Sequence, residues 1–145
     1  MNDTIAVIDA NLVLKAMLPN PEMGSCQTVL AKLNATQLVA PALWMYEITS
    51  TLAKAVHFQQ LTPEESKVVL RQALALDVQL VAPEEAQSEL VLDWTLRLRR
   101  AAAYDSFYLD IAETLEAPFW TADQRLVNAL QDQRPSWLHW AGEFG

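Results

Sequence analysis

The stretch TIAVIDANLVLK, Thr4 to Lys15, decides the fold. Thr4 to Ile8 is a short β-branched, apolar run that reads as a buried strand. Asp9 stands at its exit, and Asn11 is placed to begin a helix through Leu12 to Met17. Outward from there the same grammar repeats. Pro19 and Pro21 close the first helix, and a second is predicted over Met23 to Leu33, where Val29, Leu30 and Leu33 share helical spacing. Asn34 supplies a stop before a strand over Gln37 to Ala40. Pro41 then starts a helix from Ala42 to Phe58. Its Leu43, Ile48, Leu52, Ala55 and Val56 recur mainly at three- to four-residue intervals and carry Glu47 among them.

Thr62, Pro63 and Glu65 form a capping signature: threonine as cap, proline at the first helical position, and glutamate three residues after the cap. The helix it opens runs to about Ala75. Gln79 to Ala82 is a strand, Glu84 to Arg99 and Tyr104 to Leu115 are helices, Pro118 to Thr121 is a strand, Asp123 to Leu130 a short helix, and Trp137 to Trp140 a last strand. Strands separated by helices imply parallel neighbours, because a parallel pair needs a long crossover connection. The predicted architecture is therefore an α/β sheet covered on both faces. Ligands in such folds bind beyond the carboxyl ends of strands, and Asp9 and Asp123 both fall there.

A chain of 145 residues has room for one core, so a single domain over residues 1–145 is expected. Its apolar fraction of 52% and mean hydropathy of +0.07 exclude a disordered polyampholyte. Asp9, Pro41 and Pro118 interrupt the apolar runs well before the ~18 residues that span a bilayer. With no signal-peptide pattern ahead of the first strand, the expectation is a soluble, cytoplasmic protein. Cys26 has no partner for an intramolecular bridge and sits in no nucleophile motif, so it reads as a small half-buried residue. With only His57 and His139 beside it, a zinc site is not expected.

Four carboxylates carry the chemistry: Asp9, Glu47, Asp105 and Asp123. Each adjoins apolar sequence, where an unpaired carboxylate is costly to desolvate, and a bound divalent cation is the natural compensation. Asp123 before QRLVNAL is also a good helix cap, and Asp9 a good turn residue. Glu47 and Asp105, on helices with mostly apolar neighbours, have no comparable structural use. The net charge of −8 opposes loose association with a polyanion, although four of the eighteen acidic residues belong to the proposed site, where cations would offset them. Arg97, Arg99 and Arg100, the densest basic cluster, shortly precede Asp105. They read either as a phosphate-steering patch or as arginines suited to a helix C-terminus.

The ordered motifs VIDANLVLK with Asp9 and Asn11, APALWMYEITSTL with Glu47, YDSFYLDIAETL with Asp105, and TADQRL with Thr121 and Asp123 resemble the PIN-domain ribonucleases, particularly the small VapC-like toxins, over essentially the whole chain. The resemblance implies a three-layer α/β/α sandwich with a parallel sheet of about five strands. It further implies Mg²⁺- or Mn²⁺-dependent cleavage of RNA, with Asp9, Glu47, Asp105 and Asp123 as metal ligands, directly or through water. Asn11 and Thr121 would orient water or carboxylates. Relatives also imply a homodimer and a cognate antitoxin laid across the acidic edge. Two residues depart from the family pattern. Ser50 stands where many relatives have asparagine, and Asp110 where many have a small apolar residue. Asp110, five positions after Asp105 and so roughly 140° round the helix, is expected to face away from the metals.

Other readings compete with this one. Aspartate-nucleophile phosphatases also open with a strand-end aspartate, but Asn11 replaces their second aspartate and no lysine follows Lys67. A receiver domain would need an aspartate after a middle strand, where Ala40–Pro41 and Ala82–Pro83 stand. A PIN-like module acting only through association tolerates the acidic surface. For that reading Trp44, Met45 and Tyr46 are candidate contact residues, although they read more simply as core. Trp137, Trp140 and Phe144 read as a buried last strand and its trailing segment.

Overall fold

The computed structural model of the protein describes residues 4–100 and 103–144, so the lead-in at Met1 to Asp3 lies outside the described residues. Five strands, β1 (Ile5–Ile8), β2 (Gln37–Pro41), β3 (Gln79–Val81), β4 (Phe119–Thr121) and β5 (Leu138–Trp140), form one sheet in the order β3-β2-β1-β4-β5. Every pairing is parallel, with Val7 opposite both Val39 and Phe119, and Phe119 opposite Leu138. The central strands are short, mostly apolar and mostly buried, with Gln37 and Thr121 as their polar members, which is what a sheet covered on both faces requires. β3 departs from that expectation. It is an edge strand whose Gln79 and Leu80 are exposed.

Helices cover both faces. α1 (Ala10–Met17), α2 (Met23–Lys32), α3 (Leu43–His57) and α4 (Pro63–Leu74) pack with one another on one side. On the other side α5 (Ser88–Leu98) packs with α6 (Tyr104–Leu115) and α7 (Gln124–Leu130), and α6 lies across β1, β2 and β4. The result is the three-layer α/β/α sandwich with a parallel five-stranded sheet. Its core runs from Val7, Ile8, Leu12 and Ile48 through Trp44, Tyr108 and Phe119 to Leu126 and Leu138, all essentially inaccessible. Tyr108 stacks on Phe119, with centroids 5.4 Å apart and planes 8° from parallel. Among the described residues no helix is long and apolar enough to cross a membrane.

The capping signature at Thr62 forms as read: its hydroxyl accepts from the Glu65 N–H at 3.1 Å, and Glu65 accepts from the Thr62 N–H at 2.9 Å. Four local readings are corrected. Asp9, not Asn11, caps α1, because its carboxylate reaches the Asn11 N–H and the helix begins one residue after the strand-end acid. The helix expected over Glu84 to Arg99 starts as a 3₁₀ turn at Glu85–Gln87 before becoming α-helical. Of the three aromatics near Glu47's end of α3, Trp44 is core, whereas Tyr46 is 71% exposed. At the C-terminal strand Leu138 is the buried residue, Trp137 and Trp140 are only partly buried, and Phe144 is exposed.

Candidate functional site

The sheet order reverses between β1 and β4. The chain moves from β1 to β2 and β3 on one side, then returns to place β4 and β5 on the other. At such a switch point the connections leave the two central strands in opposite directions and open a crevice at their carboxyl ends. Asp9 directly follows β1, and Asp123 follows β4 with Ala122 between. The backbone stitches them together, since the Asp9 N–H donates to the Trp120 carbonyl at 3.1 Å.

Asp9 is 5% exposed, and each of its oxygens takes one donor. Oδ1 accepts from the Asn11 N–H at 3.0 Å, and Oδ2 accepts from the Thr121 hydroxyl at 2.7 Å. Thr121, fully buried at the end of β4, has its own oxygen accept from the Asp123 N–H at 3.0 Å. One hydroxyl thus fixes one acid directly and the backbone of a second. Asp123 in turn caps α7 by accepting from the Arg125 N–H at 3.0 Å. Its capping use and its place at the crevice are therefore both real.

The other two acids come from helices on opposite faces. Glu47 projects from α3, and its Oε1 accepts from the Tyr108 hydroxyl of α6 at 2.8 Å. Asp105, in the first turn of α6, pairs with Arg100 at 2.9 Å. All four carboxylates line one cleft of about 180 Å³, together with Asn11, Leu14 and Thr51. Thr51 was not singled out from the sequence, although it lies four residues after Glu47 and so on the same helical face. Tyr108 was likewise missed, because a tyrosine within an apolar helix reads as core, and its ring is core; only its hydroxyl serves the cleft. Ser50 is exposed and outside the cleft lining, and Thr51 takes the place beside Glu47.

The electrostatics are those of acids crowded into a poorly solvated space. Burial pushes Asp9 up to about 6, against the hydrogen bonds from Thr121 and Asn11, with Asp105 and Asp123 adding repulsion. Burial pushes Glu47 up to about 7, opposed by Tyr108 and aided by Asp9 and Asp105. Asp105 is raised by burial and by Asp123, while Arg100 pulls it back. Tyr108, buried beside two acids, is held as a neutral donor well above its usual range. Among the described residues, no three acidic, imidazole or thiol side chains are clustered tightly enough to hold one metal ion as they are placed. Two of the acids are turned to partners of their own, Asp105 to Arg100 and Glu47 to Tyr108. The donor chemistry nevertheless suits a hard divalent cation, being four carboxylates with hydroxyl support and neither imidazole nor thiolate lining the cleft.

Asp110 lies outside this cleft, as its helical position implied. The arginines divide. Arg100 serves Asp105, whereas the Arg97 guanidinium lies 4.2 Å from the Trp94 ring centroid and Arg99 closes α5 in the left-handed conformation at φ 55°.

The sequence profile of the PIN domain matches residues 7–135. No curated protein matches the sequence. Among solved structures, the chain is similar to VapBC2 from Rickettsia felis, crystallised bound to a DNA fragment from their promoter. That match has a TM-score of 0.64 and 14% identity, covering 92% of this chain and 95% of the other.

Proposed function

The chain belongs to the PIN-domain family, and on that footing we propose that it is a divalent-metal-dependent endoribonuclease, the toxin of a toxin–antitoxin pair. The observation that carries the reading is the arrival of Asp9, Glu47, Asp105 and Asp123, from four separate segments, at one cleft on the switch-point edge of the sheet. Structural need alone does not collect four acids in one cleft, where burial and acidic neighbours raise Asp9, Glu47 and Asp105. Asp9, Glu47, Asp105 and Asp123 would hold Mg²⁺ or Mn²⁺. When bound, such ions lower the pKa of water to make a nucleophile and stabilise charge on a phosphodiester's oxygens.

The chain's own part is positioning. Thr121 and the Asn11 N–H hold Asp9 with both oxygens aligned, and Thr121 also ties down the backbone of Asp123. Tyr108 orients Glu47. Arg100 neutralises Asp105 until a cation competes for it. No protein nucleophile is required. The similarity to VapBC2 supports looking for a cognate antitoxin partner, and a homodimer is part of the same proposal.

Cleavage of a mixed RNA substrate in Mn²⁺ or Mg²⁺ tests the reading. Asp9→Asn and Asp105→Asn should each lower the rate at least about 100-fold with the circular dichroism spectrum unchanged. Full activity in both variants overturns it. A second reading, a PIN-like module acting only through association, is favoured by the looseness of the acidic side chains. It predicts no RNA cleavage by the wild-type chain under any divalent cation.

A further inference from the structure

We propose that a second cleft, on the face of the molecule beside the edge strand β3, is a docking site for an arginine side chain of a partner protein, with Asp110 as its anionic floor. The cleft has a volume of about 350 Å³ and is lined by Val81, Gln87, Leu90, Asp110, Ile111 and Leu115, among others. It shares no residue with the acidic cleft at Asp9 and does not depend on the function proposed above.

Asp110 is 4% exposed, yet it belongs to the lining. Among the described residues its one side-chain hydrogen bond comes from the Gln87 amide, which donates to Oδ2 at 2.8 Å. That same Gln87 accepts from the Glu84 N–H at 2.7 Å, so its amide bridges the 3₁₀ turn and α6. A carboxylate has acceptor sites for about four donors, and a single neutral amide is poor compensation for burying one. No basic side chain lines the cleft, and Glu84 adds a second acid to it. A cation delivered from outside would complete the carboxylate's set of donors.

The remaining wall is aliphatic, which matches the methylene stem behind a cationic head. Guanidinium is favoured over ammonium because it is more weakly hydrated and gives up less on entering a half-dry site. The surroundings favour a polypeptide as the carrier. Leu90, exposed to 52%, and Leu115, exposed to 36%, line the cleft, and among the described residues β3 has no strand on its outer side. A segment lying along that edge would cover the leucines while delivering its arginine to Asp110.

The test titrates the isotopically labelled full chain with the peptide acetyl-Leu-Arg-Leu-amide, its citrulline counterpart, and free agmatine, followed by NMR. The Gln87 side-chain amide and the Ile111 and Leu115 methyls should shift saturably, with the arginine peptide at least tenfold tighter than the citrulline peptide. In Asp110→Asn that preference should fall below twofold while the rest of the spectrum is retained. Should Asp110→Asn not fold, Leu90→Ser at the exposed rim should weaken the arginine peptide at least threefold. The proposal is overturned by no shift at these signals, by equal binding of the two peptides, or by changes confined to the Asp9 cleft. Agmatine binding as tightly as the peptide also overturns it, because the occupant would then be a free small cation.

Discussion

Asp9 is the residue on which the acidic cleft turns, and its cost to the fold is measurable. In the unfolded chain its carboxyl titrates at its ordinary value of 3.8, whereas in the folded protein it holds its proton to about 6. Between those values the native state binds more protons than the unfolded one. The stability contributed is complete below about pH 4 and is lost as pH rises through about 6. Glu47, raised from 4.5 to about 7, acts in the same direction. Without divalent cation, the difference in unfolding free energy between Asp9→Asn and wild type should accordingly grow in the variant's favour from pH 4.5 to 7.5. It should reach on the order of 1–2 kcal/mol after allowance for the acceptor that asparagine lacks. Calorimetry across that range checks it, and a difference between variant and wild type that stays constant or shrinks as pH rises contradicts it. Thr121→Val should do the opposite. It strips Asp9 of one donor and leaves the Asp123 N–H without its acceptor, costing about 2–3 kcal/mol in chemical denaturation. Asp9 and Asp123 were legible because strand ends are easy to find in sequence. Thr51 and the Tyr108 hydroxyl were not, because their use depends on which helix face meets the cleft.

At the scale of elements, the caps separate stability from the site. Thr62→Ala removes the hydroxyl that accepts from the Glu65 N–H while leaving the Thr62 N–H free to donate to Glu65, far in sequence from any of the four acids, and should cost about 1 kcal/mol without altering cation binding. Glu116 ends α6 at φ 52°, a conformation that costs a residue with a Cβ. Glu116→Gly should therefore raise stability by about 0.5–1 kcal/mol, as read from the denaturation midpoint. A fall in either variant's cation affinity would mean that the helices and the cleft are coupled. Helices with a proline or threonine start and an apolar stripe were read from sequence to within a residue or two, as α3 and α4 show. The 3₁₀ turn at Glu85–Gln87 was not, because besides its local capping box with Glu84 it is tied by Gln87 reaching Asp110 across 23 residues, a contact with no local signature. β3 was found as a strand, but its exposed edge position depends on sheet order.

At the scale of the molecule, strand alternation foretold a parallel sheet, and the order β3-β2-β1-β4-β5 explains why residues as distant as Asp9 and Asp123 share one edge. What alternation could not foretell is how tightly the acids converge. That depends on competing partners, Arg100 for Asp105 and Tyr108 for Glu47. Isothermal titration of the wild-type chain with Mn²⁺ at pH 7.5, against Asp9→Asn and Arg100→Ala, tests the central claim that these carboxylates act as one cation site. Saturable binding is predicted, reduced at least about tenfold by Asp9→Asn and strengthened several-fold by Arg100→Ala, which releases Asp105. Absence of saturable binding by the wild-type chain, or equal binding by Asp9→Asn, would contradict it.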